Sequence, residues 1–544
     1  MEILNLSLPA ANRFATGYLD GNAEIQNFFH YNFQVDSDYS LRLAELSERK
    51  FYRQELAQHI EGFMSKFPSS IQVSKNIEKL KLENSVAVIG GQQAGLLTGP
   101  LYSVHKVISI IKLAEQKERE LGVPVVPVFW IAGEDHDYQE VNHVYGLRKQ
   151  KPEKWSYPEK HHERKMISET HLDKDACKSW IEDIIESFGE TSHTKSLREF
   201  TEKALGSSLT FVDFFATIIM ELFKEQGLLI IDSGDKELRK IEKEFFIRQI
   251  SNQKEITRNV LIQQQETSKV DFKPVMDIAE DAANLFYNDE ETKERVLLQY
   301  DDITGTFTGK NGGKVFSVEE LLEIANEFPE RLSNNVVTRP LMQEWLFPTI
   351  AFIGGPGEIA YWAELKLVFE HFGLKIPPLV PRLNITLLDR SIETDIDELN
   401  LNLQEILESG TSKYELKFIE SLKDRELEEL FVETKDQLLN QYKMIREKTE
   451  QLDKVLLPLL EKNEQILLNQ IEFMEKKIHE SVCRKHDDVL RKFGRVENAL
   501  RPNGSPQERI WNPYFFLNKY GLDFFSELLS LPFSFDGTHK VIKI

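Results

Sequence analysis

The sequence predicts an α/β protein with an open sheet and a long helical arm, and three observations predict it. An apolar run at 85–91 leads through Gln92-Gln93-Ala94-Gly95-Leu96-Leu97-Thr98-Gly99-Pro100 into a helical stretch at 101–120, then into a second apolar run at 123–133. The same order of strand, glycine-rich loop and helix recurs at 345–369, and 376–389 reads as a further strand. After Asp389 the composition turns to Glu, Lys, Leu, Gln and Ile, with Pro458 the single proline of 391–493. Alternating strand and helix patterns argue for a layered α/β core, whose ligands bind at the carboxyl ends of the strands.

A chain of 544 residues is too long for one ordinary core. With 41% hydrophobic and 29% charged residues it has the balance of a soluble globular protein. A formal charge of −22 argues against the nucleic-acid backbone as a main partner. The two cysteines, Cys177 and Cys483, can build neither a disulfide framework nor a Cys-rich zinc site. The N-terminus lacks a basic segment ahead of a long apolar one, and no apolar run reaches 18 residues. A cytoplasmic protein without membrane association is therefore expected.

Taken in order, residues 1–80 carry apolar positions at three- and four-residue spacing and read as helical. The first strand–loop–helix–strand unit follows. Residues 145–225 form a charged, largely helical insertion, and 227–232 is a buried strand ending in Asp232-Ser233-Gly234-Asp235. Short strand-like pieces and turns at 270–316 suggest a small β insertion. In the arm, Leu438, Tyr442, Ile445, Leu452, Leu456 and Leu459, then Ile471, Met474 and Ile478, step by three and four. That pattern suits an antiparallel coiled coil that also makes a dimer, interrupted or kinked near its middle by Pro458. The expected division is a core at 1–389, an arm at 390–498, and a segment at 499–544 that docks back on the core.

The first loop has four glycines, Gly90, Gly91, Gly95 and Gly99, which permit tight turns and close approach to a ligand. Thr98 is placed to cap the following helix and Pro100 to sit in its first turn. The loop is either a structural turn or a seat for phosphate or carboxylate. It matches neither the Walker nor the dinucleotide glycine pattern. On the helix, Tyr102, His105, Lys106 and Ser109 share one face and Val104, Val107, Ile108 and Ile111 another. The polar face is either solvated or turned to a ligand, where His105 and Lys106 would stabilise developing negative charge. The second strand ends in Glu134-Asp135-His136-Asp137, with Glu140 and His143 beyond. These residues suit a general base, a Mg²⁺ site or an ammonium pocket, and a metal-dependent hydrolase is one alternative. The neighbouring His161-His162 pair reads as surface. At the third site, Gly354, Gly355, Gly357 and Glu358 open a helix that carries Tyr361, while Arg339 and Arg382 lie near strand ends. Both arginines suit bidentate carboxylate binding or structural ion pairs.

Together, GGQQAGLLTGPLYSVHK, FWIAGEDHDYQEVNHV, FIGGPGEIAYWAEL, PRLNITLLD and PQERIWNPYFF resemble the BshC family, the cysteine-adding enzymes of bacillithiol synthesis, over essentially the whole chain. The resemblance implies a Rossmann-like core with inserted connecting segments, a helical coiled-coil arm and a homodimer. It implies a ligase that joins cysteine to the amine of glucosaminyl malate. Amide formation from a free carboxylate needs activation, so ATP or ADP with Mg²⁺ is the expected cofactor and no tightly bound metal is expected. The residues themselves suggest these roles for that reaction: a seat for phosphate or carboxylate at Gln92–Gly99, charge stabilisation by His105 and Lys106, and ammonium binding or deprotonation by Glu134, Asp135 or Asp137, with His136 beside them. Gly91, Gln92, Gln93, Gly95, Thr98, Gly99 and Tyr102 form one wall. Gly354, Gly355, Gly357, Glu358 and Tyr361 form the other, with Arg339 or Arg382 on the malate carboxylates. The family core is similar to class I aminoacyl-tRNA synthetases, but His-x-Gly-His is absent here and the Met-Ser-Lys at 64–66 precedes the glycine loop. A non-catalytic dimeric scaffold that binds a nucleotide or metabolite is the reading from another class.

Overall fold

The computed structural model describes residues 1–159, 165–310 and 312–544. The His161-His162 pair lies outside the described residues. The chain divides into two compact units, one of residues 1–387 with 507–544 and one of residues 388–506.

The first unit is built on five parallel strands. In chain order these are β1 (Val86–Gln92), which leads to the helix α1 (Tyr102–Leu121), then β2 (Val125–Ile131), β3 (Leu229–Asp232), β4 (Thr349–Gly354) with the helix α2 (Pro356–Trp362), and β5 (Leu379–Pro381). In space they run β5-β4-β1-β2-β3. β1 and β2 are nearly continuous runs of buried apolar residues, as parallel strands covered on both faces require. Pro127 is tolerated in β2 because β3 begins opposite Val128, so its missing N–H forfeits no bond to β3.

The glycines of the first loop serve packing. A Cβ on Gly91 would lie 2.6 Å from the Trp130 carbonyl oxygen, and one on Gly95 would lie 2.8 Å from the Gly99 Cα. Leu97, Thr98 and Gly99 all have positive φ, at 50°, 70° and 69°. Asn512 holds this strained turn, its side-chain N–H groups donating to the carbonyls of Leu97 at 2.9 Å and Gly99 at 2.6 Å. Thr98 is accordingly not the helix cap. It is buried, its hydroxyl has no partner among the described residues, and α1 starts after Leu101 without a side-chain cap. Nor does α1 present a solvated polar face: Ser103 to Ile111 are all buried, His105, Lys106 and Ser109 included.

Helices of residues 13–80 cover the sheet, and the Tyr18 hydroxyl donates to the Leu379 carbonyl at 2.8 Å. Met64, of the Met-Ser-Lys segment, lies in the core with its sulfur 3.4 Å from the Ile230 N–H. Between β2 and β3 come a short helix, Tyr138–Val141, a hairpin, His143–Arg148 with Lys151–Ser156, and the longer helices Lys174–Ser187, Thr194–Ser207 and Phe211–Phe223. Between β3 and β4 an antiparallel sheet of five strands spans Ala282–Asn288 to Leu332–Asn334. The C-terminal strand His539–Lys543 pairs with Glu2–Leu6 at the other end of the chain.

The second unit centres on α3 (Arg425–Leu452) and α4 (Leu457–Lys485). Lys435 pairs with Glu475 at 2.6 Å and Arg446 with Glu464 at 2.8 Å, so the two helices run antiparallel around a tip at 453–456. Pro458 does not kink a helix in its middle. It stands in the first turn of α4, where its missing N–H is one of those a helix leaves unpaired in any case. No helix among the described residues is long and apolar enough to cross a membrane.

Candidate active site

The strand order reverses direction between β1 and β4, and the crevice outside their carboxyl ends is where open α/β sheets bind ligands. A cleft of about 320 Å³ opens there, lined by Gly91, Gln92 and Gln93 from the end of β1, Tyr102 and Lys106 from α1, Asp135 after β2, and Gly355, Gly357, Glu358 and Tyr361 at α2.

Lys106 lies on its floor and is 1% exposed. Its ammonium donates to the Gly91 carbonyl at 2.7 Å and to Glu358 Oε2 at 2.5 Å. The same Oε2 accepts the Gly355 N–H at 2.7 Å. Burial lowers the Lys106 pKa, and the neighbouring Glu358 opposes that shift.

His105 points elsewhere, because adjacent helical residues are about 100° apart around the axis. It is fully buried, with Nδ1 3.2 Å from Glu508 Oε2, and it does not line the cleft. Burial holds its pKa below the usual imidazole value. Glu508 also takes Arg382 in a bidentate pair at 2.7 and 2.6 Å. Arg382 lines the cleft with Tyr102 beside it, but its two-pronged face is committed to Glu508. Glu508 itself escapes sequence reasoning. It lies in the distinctive PQERIWNPYFF stretch, yet its partners are 126 and 403 residues away.

The acidic cluster after β2 disperses. Glu134 is a buried structural anion whose Oε2 accepts Arg239 at 2.8 Å and the Asn334 N–H at 3.2 Å. Asp137 is exposed, stands at the N-cap of the short helix Tyr138–Val141 without a side-chain capping bond, and does not line the cleft. His136 turns to Arg295 and packs edge-on to Phe286. The donors of a hydrolase-like metal site therefore diverge, and among the described residues no group of three or more His, Cys, Asp and Glu could hold a metal ion.

Asp135 alone of the cluster reaches the cleft, where it accepts Gln93 Nε2 at 2.9 Å. Burial works against its charge, but the Gln93 hydrogen bond and the charges of Arg295 and Arg339 outweigh it and hold the carboxyl below its ordinary pKa. Such a group binds a cation better than it accepts a proton. Arg339 reaches the cleft beside Tyr361, and the two groups interact electrostatically. Gly95, Thr98, Gly99 and Gly354 are not among the lining residues; the first three form the packed turn under Asn512, and Gly354 ends β4.

The spatial order and the cleft at its reversal define a Rossmann-type α/β protein with an appended helical coiled coil. The family model described as "Bacillithiol biosynthesis BshC, N-terminal Rossmann-like domain" matches residues 1–383, and "Bacillithiol biosynthesis BshC, C-terminal coiled-coil domain" matches residues 385–544. The chain belongs to the BshC family. Proteins from Geobacillus sp. (strain WCH70) and Geobacillus kaustophilus are each 44% identical to it, and one from Anoxybacillus flavithermus is 42% identical, with 100% of both chains covered in each case. All three carry the name "Putative cysteine ligase BshC".

Proposed function

We propose that the protein is a ligase that joins the carboxyl group of L-cysteine to the amine of glucosaminyl malate, forming the amide of bacillithiol in the cytoplasm. The observation that carries this reading is the cleft at the sheet reversal, which sets an ionised carboxylate, Asp135, against a buried cation, Lys106. Cysteine presents the complementary pair, an ammonium and a carboxylate.

A nucleoside triphosphate with Mg²⁺, when bound, supplies the leaving group that a free carboxylate lacks. The Lys106 ammonium and the Gly355 N–H both donate to Glu358 Oε2, so an anion such as a phosphate oxygen would meet them there by displacing that carboxylate. Asp135 holds the cysteine ammonium, and Gln93 orients Asp135. Lys106 sits within the cleft floor to offset negative charge that grows on the acyl oxygen as the amine attacks. Arg339 and Tyr361 add donors to the opposite wall.

The test is complementation. In a bacillithiol-producing strain that lacks its own family member, this chain should restore the thiol and stop glucosaminyl malate from accumulating. Continued accumulation with the protein expressed would refute the proposal.

The arm supports a homodimer. Packing α3 on α4 leaves apolar side chains in water, with Leu452 86%, Leu459 64%, Met474 51% and Ile445 45% exposed. Large apolar side chains left this exposed are ordinarily covered by a partner, and a second copy of the hairpin would cover them with like residues. Light scattering should give twice the chain mass, and Ile445→Lys with Met474→Lys should give the monomer. A wild-type monomer would refute the dimer.

A further inference from the structure

A second cavity, of about 450 Å³, adjoins the cleft and shares Asp135 and Arg339 with it. It lies where the inserted antiparallel sheet meets the ends of the parallel strands, and Arg295, on the strand Arg295–Asp301, lines it.

Arg295 is unlike the other buried arginines. Four arginines are buried among the described residues: Arg42, Arg239, Arg295 and Arg382. Arg42 pairs with Glu344 at 2.6 Å, Arg239 with Glu134 at 2.8 Å, and Arg382 with Glu508 at 2.6 Å. Arg295 has no carboxylate within ion-pair distance among the described residues. It donates to the Ser333 hydroxyl at 2.9 Å and to the Asn334 carbonyl, and it lies 3.3 Å from His136 Nδ1. Its guanidinium stacks 3.7 Å over the Phe286 ring. The nearby carboxylates are engaged elsewhere, Glu134 by Arg239 and Asp135 by Gln93. Buried charges are ordinarily paired, and without a carboxylate in contact burial pushes the Arg295 pKa down to about 10. Two more cations face the same space, Arg339 on the shared wall and Lys310 at the exposed mouth. The acidic residues at the mouth, Asp277 and Asp281, are exposed, and Asp281 accepts Gln299 Nε2 at 2.7 Å. Solvent screens these rim charges far more than it screens the floor.

We propose that this cavity seats the dicarboxylate end of the acceptor, the malyl group, with Arg295 as counter-ion to one carboxylate and Lys310 at the mouth. The proposal rests on the reading of the acceptor given above. With the malyl end held there, the sugar amine reaches the wall of Asp135 and Arg339 that opens on the first cleft, where the cysteine carboxyl lies. Donor and acceptor thus enter from separate cavities and meet at one wall. Arg295 was not among the residues the sequence marks, since nothing local distinguishes it from a surface arginine.

Calorimetric titration of the full-length protein tests the assignment, with glucosaminyl malate, a glucosamine glycoside lacking the malyl group, and cysteine as probes. Wild type should bind glucosaminyl malate well and the truncated glycoside weakly. Arg295→Gln should weaken glucosaminyl malate by more than about thirtyfold, leaving cysteine and the truncated glycoside unchanged. Lys310→Ala, at an exposed position that does not threaten folding, should weaken it by about two- to fivefold, an effect erased by high salt. If wild type binds glucosaminyl malate but both variants bind it equally well, the cavity assignment is overturned and the ligase reading stands. If wild type discriminates against no probe and also fails to complement, both readings fall.

Discussion

Lys106→Met should lower bacillithiol formation by about a hundredfold or more while the protein stays folded. The size follows from removing a buried, pre-positioned cation from the floor of the cleft, where one such donor is worth roughly 10²–10³ in rate. Methionine keeps most of the volume of the stem, so the helix packing around residue 106 survives. Glu358 loses one partner but retains the Gly355 N–H at 2.7 Å. Its side chain is 24% exposed, so water screens the carboxylate left behind and the cost in stability is modest. Thiol output in the complemented strain and a urea midpoint on the purified variant measure the two effects separately. Wild-type output from Lys106→Met would remove this residue from the chemistry and with it the central element of the proposed site.

Glu508→Gln should be strongly destabilising, costing about 3–5 kcal/mol. Its carboxylate is the common partner of Arg382 and His105, and the substitution leaves the Arg382 guanidinium buried without a counter-charge. Burial alone would raise the Glu508 carboxyl, but Arg382 and then His105 outweigh it and hold it well below the usual carboxylate range. The sign of the pH dependence follows. A carboxyl depressed on folding contributes fully above its unfolded pKa of about 4.3, and that contribution is lost as pH falls toward the folded value. The stability gap between wild type and Glu508→Gln should therefore be constant from about pH 8 to pH 5 and close below about pH 4. Urea midpoints measured across that range report it. Equal midpoints at pH 7 would show that the pair contributes no net stability.

Much of the architecture is legible in local pattern. The apolar runs that became β1, β2, β3 and β4 are continuous because parallel strands bury both faces, so composition marks them without any alternation. The arm is legible from its three- and four-residue steps. Pro458 was legible as an interruption but not as the opening of α4, since a proline pattern does not tell a kinked helix from the start of a new one.

The site was legible only in part. Asp135, Lys106 and the Gly355–Glu358 turn stand at strand ends or within the first two helical turns, places that sequence order alone can mark. His105 and Lys106 are neighbours in sequence, yet only Lys106 opens on the cleft, because one step along a helix turns the side chain by about 100°. The glycines that looked like a phosphate loop are needed where the chain packs on itself, at Trp130 and under Asn512.

Local chemistry along the chain determined which segments are strands and helices, and which residue types stand at their ends, because periodicity and turn propensity act over a few residues. Tertiary structure alone decided the strand order that opens the cleft between β1 and β4, and the pairing of each buried charge. Glu134 went to Arg239, Arg382 to Glu508, and Arg295 to no carboxylate. A buried charge is stabilised by whatever counter-charge the fold brings within contact, and those partners come from parts of the chain more than a hundred residues apart.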